Sequence, residues 1–346
     1  MTAAVIGVVT MTLSSLSCSS DSADTTVAPR IDTHMHLQGQ GMSLDTAAGM
    51  LVEMMDERGV DVAIVQELIH DRTDYQDLLA SVANHPGRLY VGAGSAELNA
   101  LIQGTDPADV DDSLETRFRS LANSYVDTGA VVFGEMFGLH LCMSNEHNFQ
   151  DGALDHPLFL VLADVAADRG VPIDLHTEAV PRDQATPVNL SRACMMNPPE
   201  LSATIPPFKA LLGHNPAAHI VWQHVGWDNI GHLTVELLRD MLAAHPNLYL
   251  AIRVEVRLDQ VGDGGPMPNR IVDRMGNIKL EWSQLFSDYS DRIMVGSDEF
   301  VSVPGATGGI MPPDSFDKTW ALLDQLDPEL RRKIGHANAA RVYGLR

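Results

Sequence analysis

Residues 30–36 read RIDTHMH, and the fold is decided by what this stretch is and by how often its like returns. A short apolar start ends in two histidines at i and i+2, His34 and His36. On an extended strand that spacing sets both imidazoles on one face. A lone buried histidine needs only one hydrogen bond, but two on one face at a strand end are hard to explain as packing. Seven similar runs follow, at 61–66 (DVAIVQ), 88–94 (RLYVGAG), 130–135 (AVVFGE), 171–176 (VPIDLH), 219–224 (HIVWQH), 247–253 (NLYLAIR) and 292–298 (RIMVGSD). Several are too apolar to be half-exposed, as expected of parallel strands covered on both faces.

Segments of helical periodicity lie between them. Residues 44–58 end at Gly59 and 155–169 at Gly170, both suited to close a helix. Residues 230–244 carry Leu233, Leu237, Leu238 and Met241 on one face, and 314–325 and 328–342 close the chain. Eight strand–helix alternations predict an α/β fold, a (β/α)8 TIM barrel filling 30–346 as one domain. A doubly wound sheet would carry a glycine-rich phosphate loop after its first strand, and HLQGQGMS at 36–43 offers only a GxG. The segment 181–215 carries five prolines between 187 and 207, at 187, 198, 199, 206 and 207. They predict an insertion after the fifth strand, on the face where a barrel keeps its active site.

The 346 residues include 46 acidic and 23 basic ones, a net charge of −23. Nucleic acid is gripped by a Lys/Arg surface that releases counterions, and an anionic membrane by a basic patch; this chain suits neither. Its 45% hydrophobic content is that of an ordinary globular chain. No apolar run reaches the roughly 18 residues of a membrane-crossing helix.

The later strands end as the first does. Glu135, His176, His224 and Asp298 each close an apolar run. Singly, each has an ordinary reading as an ion pair, a carbonyl contact or a turn cap. Together with His34 and His36 they place four histidines, one glutamate and one aspartate at the C-terminal strand ends of one barrel. That donor set suits a divalent metal, zinc foremost, with manganese or iron as alternatives. Asp32 is expected to share the inward face and to orient the ligands.

This order of residues resembles the amidohydrolase superfamily of metal-dependent hydrolases. The matching pieces are Asp32-Thr-His34-Met-His36, Glu135, His176, His224, Gly-Ser-Asp298 and His336-Ala-Asn338-Ala-Ala-Arg341-Val-Tyr343. The Trp222-Gln-His224-Val-Gly226-Trp227 stretch and the C-terminal run look like the amidohydrolase-related branch, which also holds decarboxylases of aromatic-type acids. The resemblance implies that His34, His36 and Asp298 bind one metal and that His176 and His224 bind a second. It implies that Glu135 bridges the two, where many members have a carbamylated lysine. A metal-activated water would then cleave an amide, lactone or ester bond of a small molecule, with Asp298 moving the proton. The alternative is a mononuclear zinc-dependent decarboxylase. A glutamate in the bridging position also occurs in nucleases, which the net charge disfavours. Arg253 can clamp a substrate carboxylate or pair with Glu255. Trp227 and His140 are placed to wall the pocket, and Arg192 in the insertion to cover it. A homo-oligomer remains open.

Residues 3–13 are mostly apolar and lead through small residues to Cys18. This predicts an export signal over 1–18, and the Leu16-Ser17-Cys18 ending is similar to a bacterial lipobox. Cys18 would then carry the lipid, residues 19–29 would form a flexible tether, and the protein would be periplasmic or a cell-surface lipoprotein. A plainly cleaved signal is the other reading. Membrane contact is expected only through that anchor. Cys142 and Cys194 read most simply as two unrelated thiols; in an oxidising compartment they can pair and pin the insertion over the mouth. The full-length protein is expected to mature to a lipidated form that Cys18→Ala cannot reach, visible as a difference in gel mobility. Identical processing of the two would reject lipidation.

Overall fold

The computed structural model describes Met1 and residues 29–37, 42–67, 74–142, 148–254, 269–301 and 314–345. The export signal, Cys18 and nearly all of the expected tether lie outside the described residues, as does Glu255. Nine strands form one parallel sheet: β1 (Ile31–Leu37), β2 (Val62–Val65), β3 (Leu89–Gly94), β4 (Val132–Phe137), β5 (Ile173–His176), β6 (Ile220–Val225), β7 (Leu248–Ile252), β8 (Ile293–Val295) and β9 (Glu299–Val301). Their order is β8-β7-β6-β5-β4-β3-β2-β1-β9. The two outermost strands are consecutive in the chain, separated only by Gly296-Ser297-Asp298. The eighth expected strand is thus broken in two. Its first half pairs with β7 and its second with β1, which closes the sheet into an α/β TIM-type barrel.

Side-chain and backbone bonds stitch this seam. The Thr33 hydroxyl donates to the Val295 carbonyl at 2.9 Å, and the Asp298 N–H donates to the His34 carbonyl at 2.8 Å. Asp32 accepts from the N–H groups of His34 (3.2 Å) and Ser297 (3.0 Å) and from the indole of Trp320 (3.0 Å).

The helices form because their ends are capped and their apolar faces meet the sheet. Ser43 caps Leu44–Arg58, and Gly59 ends it at φ 65°; Gly170 ends Pro157–Arg169 in the same left-handed conformation. The helix expected over 230–244 begins later, at Val235. Thr234 caps it, and Asp228 takes the preceding N–H groups of Ile230, Gly231 and Leu233, which holds them in a loop. The last segment runs Pro328–Arg332, widens into one π turn over Lys333–Ala337, and continues as Asn338–Val342.

The excursion after β5 is shorter than 181–215. Gln184–Ala185 pairs antiparallel with Glu200–Leu201 around a short helix, Val188–Ala193. Residues 205–214 are instead the ordinary barrel helix, Ile205–His214, entered through prolines that helices accept at their first turn. Cys142 and Cys194 form a disulfide. Asn197 reinforces it by exchanging hydrogen bonds with the Cys142 backbone at 2.8 and 2.9 Å.

Inside the barrel the side chains fall into layers. At the closed end, Ile31, Ile64, Val132, Val221, Tyr249 and Met294 pack against Ala339, Val342 and Tyr343 of the last helix, which plugs that pole. Above them lies a polar layer containing Gln66, Asp174 and Gln223, all buried. Gly134 and Gly296 make room for it. A methyl on Gly134 would sit 2.8 Å from the Asp174 Cβ, and one on Gly296 would sit 3.1 Å from the His34 Cβ. Gly134→Ala is therefore expected to destabilise the protein by about 1–3 kcal/mol through overpacking. Chemical denaturation checks this, and an unchanged midpoint would show that the layer can give way.

Candidate metal centre

All six candidate ligands stand at the mouth, and the backbone is irregular where most of them leave it. In β1 the ladder slips between Asp32 and Met35, in β4 between Phe133 and Met136, and in β6 between Trp222 and Val225. In each case three residues of the bulged strand span two of its neighbour. Such a bulge bends the strand and re-aims a side chain. The slips contain His34, Glu135 and His224. Asp298 occupies the break between β8 and β9. His224 and Asp298 also have left-handed backbones, φ 60° and 55°. That conformation costs a non-glycine residue about 1–3 kcal/mol and persists where its surroundings over-determine it.

The bulge in β1 overturns one expectation. Asp32 does not share the inward face with His34. The extra residue reverses the alternation, so Ile31 packs inside while Asp32 turns to Trp320 on the outer helix. Asp32 thus braces His34 through its backbone N–H and not through its ring.

The donor atoms converge. His34 Nε2 and His36 Nε2 are 3.1 Å apart, and Asp298 Oδ1 lies 3.7 and 3.3 Å from them. Glu135 Oε2 lies 3.8 and 4.0 Å from the same two nitrogens. Donors about 2.0–2.1 Å from a tetrahedral ion stand about 3.3 Å from one another, so this set fits one divalent ion without rearrangement of the fold. Among the described residues, His34/His36/Asp298 and His34/Glu135/His224 both form groups compact enough to share an ion. The other oxygen of Glu135, Oε1, faces His176 Nδ1 and His224 Nε2, each at 2.7 Å. Glu135 therefore divides its two oxygens between two pairs of imidazoles.

The site's electrostatics follow from burial and crowding. Burial alone would strip the proton from His34, but the carboxylates of Glu135, Asp298 and Asp174 outweigh it and raise its pKa from 6.5 to about 9. Burial likewise opposes ionisation of Glu135, yet the charges of His34 and His176 hold it well below the usual carboxylate range. Asp298 is depressed in the same way, against its burial, by His224 and Arg253. His224 moves the other way, to about 4, chiefly through burial. This collection of carboxylates demands a cation, and the imidazolium of His34 and a metal ion compete for that place.

The surrounding candidates are partly engaged with the site itself. The Arg253 guanidinium pairs with Asp298 Oδ2 and lies 4.3 Å over the Trp227 ring. The Trp227 indole donates to Asn229 at 2.7 Å, and Asn229 donates to Glu178. His140 meets the His176 ring edge-on, with centroids 4.5 Å apart. Arg192 sits exposed on the short helix of the excursion. The sequence reading missed Glu178, which burial raises to about 7, and Phe300, stacked on His36 at 4.4 Å. It also missed Asp174, although Asp174-Leu-His176 repeats the spacing of Asp32-Thr-His34.

The amidohydrolase family model matches residues 31–345. The chain belongs to the amidohydrolase family. Its members are generally metal-dependent enzymes, consistent with the donor set above. A comparison with curated protein sequences finds no match. Among solved structures, the chain is similar to a dihydroorotase from Campylobacter jejuni, at 17% identity and a TM-score of 0.54, over 92% of this chain and 84% of that one. It is also similar to a probable 2-pyrone-4,6-dicarboxylic acid hydrolase from Acinetobacter baumannii, at 14% identity and a TM-score of 0.51, over 91% and 99%. A third similar structure comes from the engineering of organophosphate hydrolysis on a weak, promiscuous lactonase, at 13% identity and a TM-score of 0.54, over 92% and 96%. At such identities the likeness supports the fold.

The raised pKa of His34 has a definite sign. In the metal-free protein its contribution to stability is fully present below about pH 6.5 and is lost as pH rises through about 9. A metal on the same nitrogen must displace that proton, so Zn2+ affinity is expected to climb across the same window. Calorimetric titration in buffers of different ionisation enthalpy reads the proton release directly; binding without release at pH 7 would contradict the assignment.

Proposed function

We propose that the protein is a hydrolase that cleaves an amide, lactone or ester bond of a small molecule, using two divalent ions bridged by Glu135. The observation that carries this reading is the division of Glu135, one oxygen toward His34 and His36 and the other within 2.7 Å of His176 and His224. His34, His36 and Asp298 would hold one ion and His176 and His224 the other. When bound, divalent ions polarise the substrate oxygen and bring the pKa of water toward neutrality.

The chain's own groups do the rest. Asp298 stays ionised, with Oδ1 directed at the histidine pair and Oδ2 engaged by Arg253. It is the acceptor for the proton of the attacking water and the donor to the leaving group. Arg253 acts through Asp298, whose orientation it sets, and Trp227 supports the guanidinium from its other side. Trp227 and His140 wall the approach, and Arg192 on the excursion covers it. Zinc is the metal this donor set favours, with manganese or iron next.

One observation favours a second reading. The 2.7 Å contacts of Glu135 are also ordinary hydrogen bonds from His176 and His224. If they persist in the loaded protein, one ion remains among His34, His36 and Asp298, the arrangement of a mononuclear decarboxylase. Metal analysis after purification separates the two. The bridged centre is expected to hold two ions per chain and to lose one in Glu135→Gln, and His34→Ala/His36→Ala is expected to cut metal content further. A single ion per chain, unchanged in Glu135→Gln, would sink the binuclear reading. Hydrolysis of a mixed lactone and N-acyl amino acid panel, against carbon dioxide release from aromatic acids, tests the reaction class.

A further inference from the structure

The C-terminal run His336-Ala-Asn338-Ala-Ala-Arg341-Val-Tyr343 is left without a task by the metal centre, although it packs directly beneath it. Asn338 fastens the run to the barrel, donating to the carbonyls of Ser290 and Ile293 at 2.7 Å each. That anchorage sends Tyr343 into the interior, where its ring is buried among the bottom-layer side chains. Its hydroxyl donates to Asp174 Oδ1 at 2.6 Å. The other oxygen of Asp174, Oδ2, accepts from the Gln66 amide at 2.6 Å and lies 3.9 Å from His34 Nδ1. His34 Nδ1 is fully buried and finds no hydrogen-bond partner among the described residues. A buried ring N–H of this kind should have one. When Nε2 of an imidazole ligates a metal, the proton resides on Nδ1, and an acceptor there fixes the ring and strengthens its donation.

We propose that Asp174, held by Tyr343 and Gln66, is the positioning residue of His34, so that the C-terminal helix supports the metal centre through a Tyr343–Asp174–His34 chain. Gly134 keeps Asp174 in place, since its missing side chain leaves the space that the Asp174 Cβ needs. Gln66 donates as well to the Thr33 carbonyl at 3.3 Å, which ties the same carboxylate to the strand that carries His34. The 3.9 Å between Nδ1 and Oδ2 is closed by a small shift of either ring or carboxylate.

This inference rests on the metal-binding reading above and is tested by affinity, not turnover. Zn2+ dissociation constants are measured by competition with a chromophoric chelator, and the visible spectrum of the Co2+-loaded protein reports ligand geometry. Asp174→Asn is expected to weaken Zn2+ binding about 10–100-fold and to alter the Co2+ spectrum. Tyr343→Phe, which removes only the hydroxyl, is expected to act in the same direction but more weakly, by about threefold or more. Val342→Ala is the control: it removes buried packing from the same helix and should lower the melting temperature without moving the affinity. An Asp174→Asn affinity within twofold of wild type overturns the proposal, and so does a Val342→Ala loss as large as that of Tyr343→Phe. If Asp174→Asn does not fold, Tyr343→Phe against Val342→Ala decides. Wild-type protein that takes up no Zn2+ overturns the metal-binding reading itself, an outcome distinct from normal uptake that Asp174→Asn leaves unchanged.

Discussion

A carboxylate taken out of water must be met by positive charge or by several donors, or it gives up its ionisation. Glu135 is such a carboxylate, buried at the centre of the mouth with imidazoles on both sides. Asp298 is a second, buried nearby and held by Arg253. The rest of the upper barrel is arranged around this pair of anions. Four histidines converge on them, the ladder bulges where their carriers leave it, and a buried polar layer takes the place of the apolar side chains that would otherwise fill the interior below. A metal centre is the economical solution to that charge distribution, because one divalent ion neutralises what several separate donors would have to share.

The eight strands were legible in the sequence, since each is a short apolar run between amphipathic segments, and their ends were legible because His34, His36, Glu135, His176, His224 and Asp298 stand where such runs stop. The bulges were not. An extra residue in a strand leaves no mark in an alternation only a few residues long, so Asp32 was expected inside and is found outside. The split of the last strand is hidden for the same reason: RIMVGSD reads as one run, and only pairing on opposite sides of it reveals two. The one local sign of Asp174 is its Asp-x-His spacing with His176, which does not say what the acid holds, and its partners Gln66 and Tyr343 are 108 and 169 residues away. Residues 205–214 were read as part of the excursion after β5, since Pro206 and Pro207 look like loop residues and in fact open a helix.

The disulfide and the excursion show a different division of labour. Cys142 follows β4 and Cys194 belongs to the excursion beyond β5, so the bridge closes a loop 52 residues apart in sequence. In the chain-entropy view a constraint of that length lowers the freedom of the unfolded chain by about 4 kcal/mol. Leu139, Leu141, Val180, Leu190 and Leu201 form a small apolar cluster of their own beneath it, separate from the main core. The excursion thus owes its order to a local cluster and a covalent tie, and the barrel below owes it little.

The helix that plugs the barrel also fixes its polarity. Arg30 enters β1 at the pole where Ala339, Val342 and Tyr343 pack, so both termini of the described barrel emerge at the closed end, and every metal-ligand candidate faces the opposite one. Whatever is fused or tethered at either terminus hangs from the back of the molecule, like a lamp fixed at its base, and the mouth points away from the point of attachment.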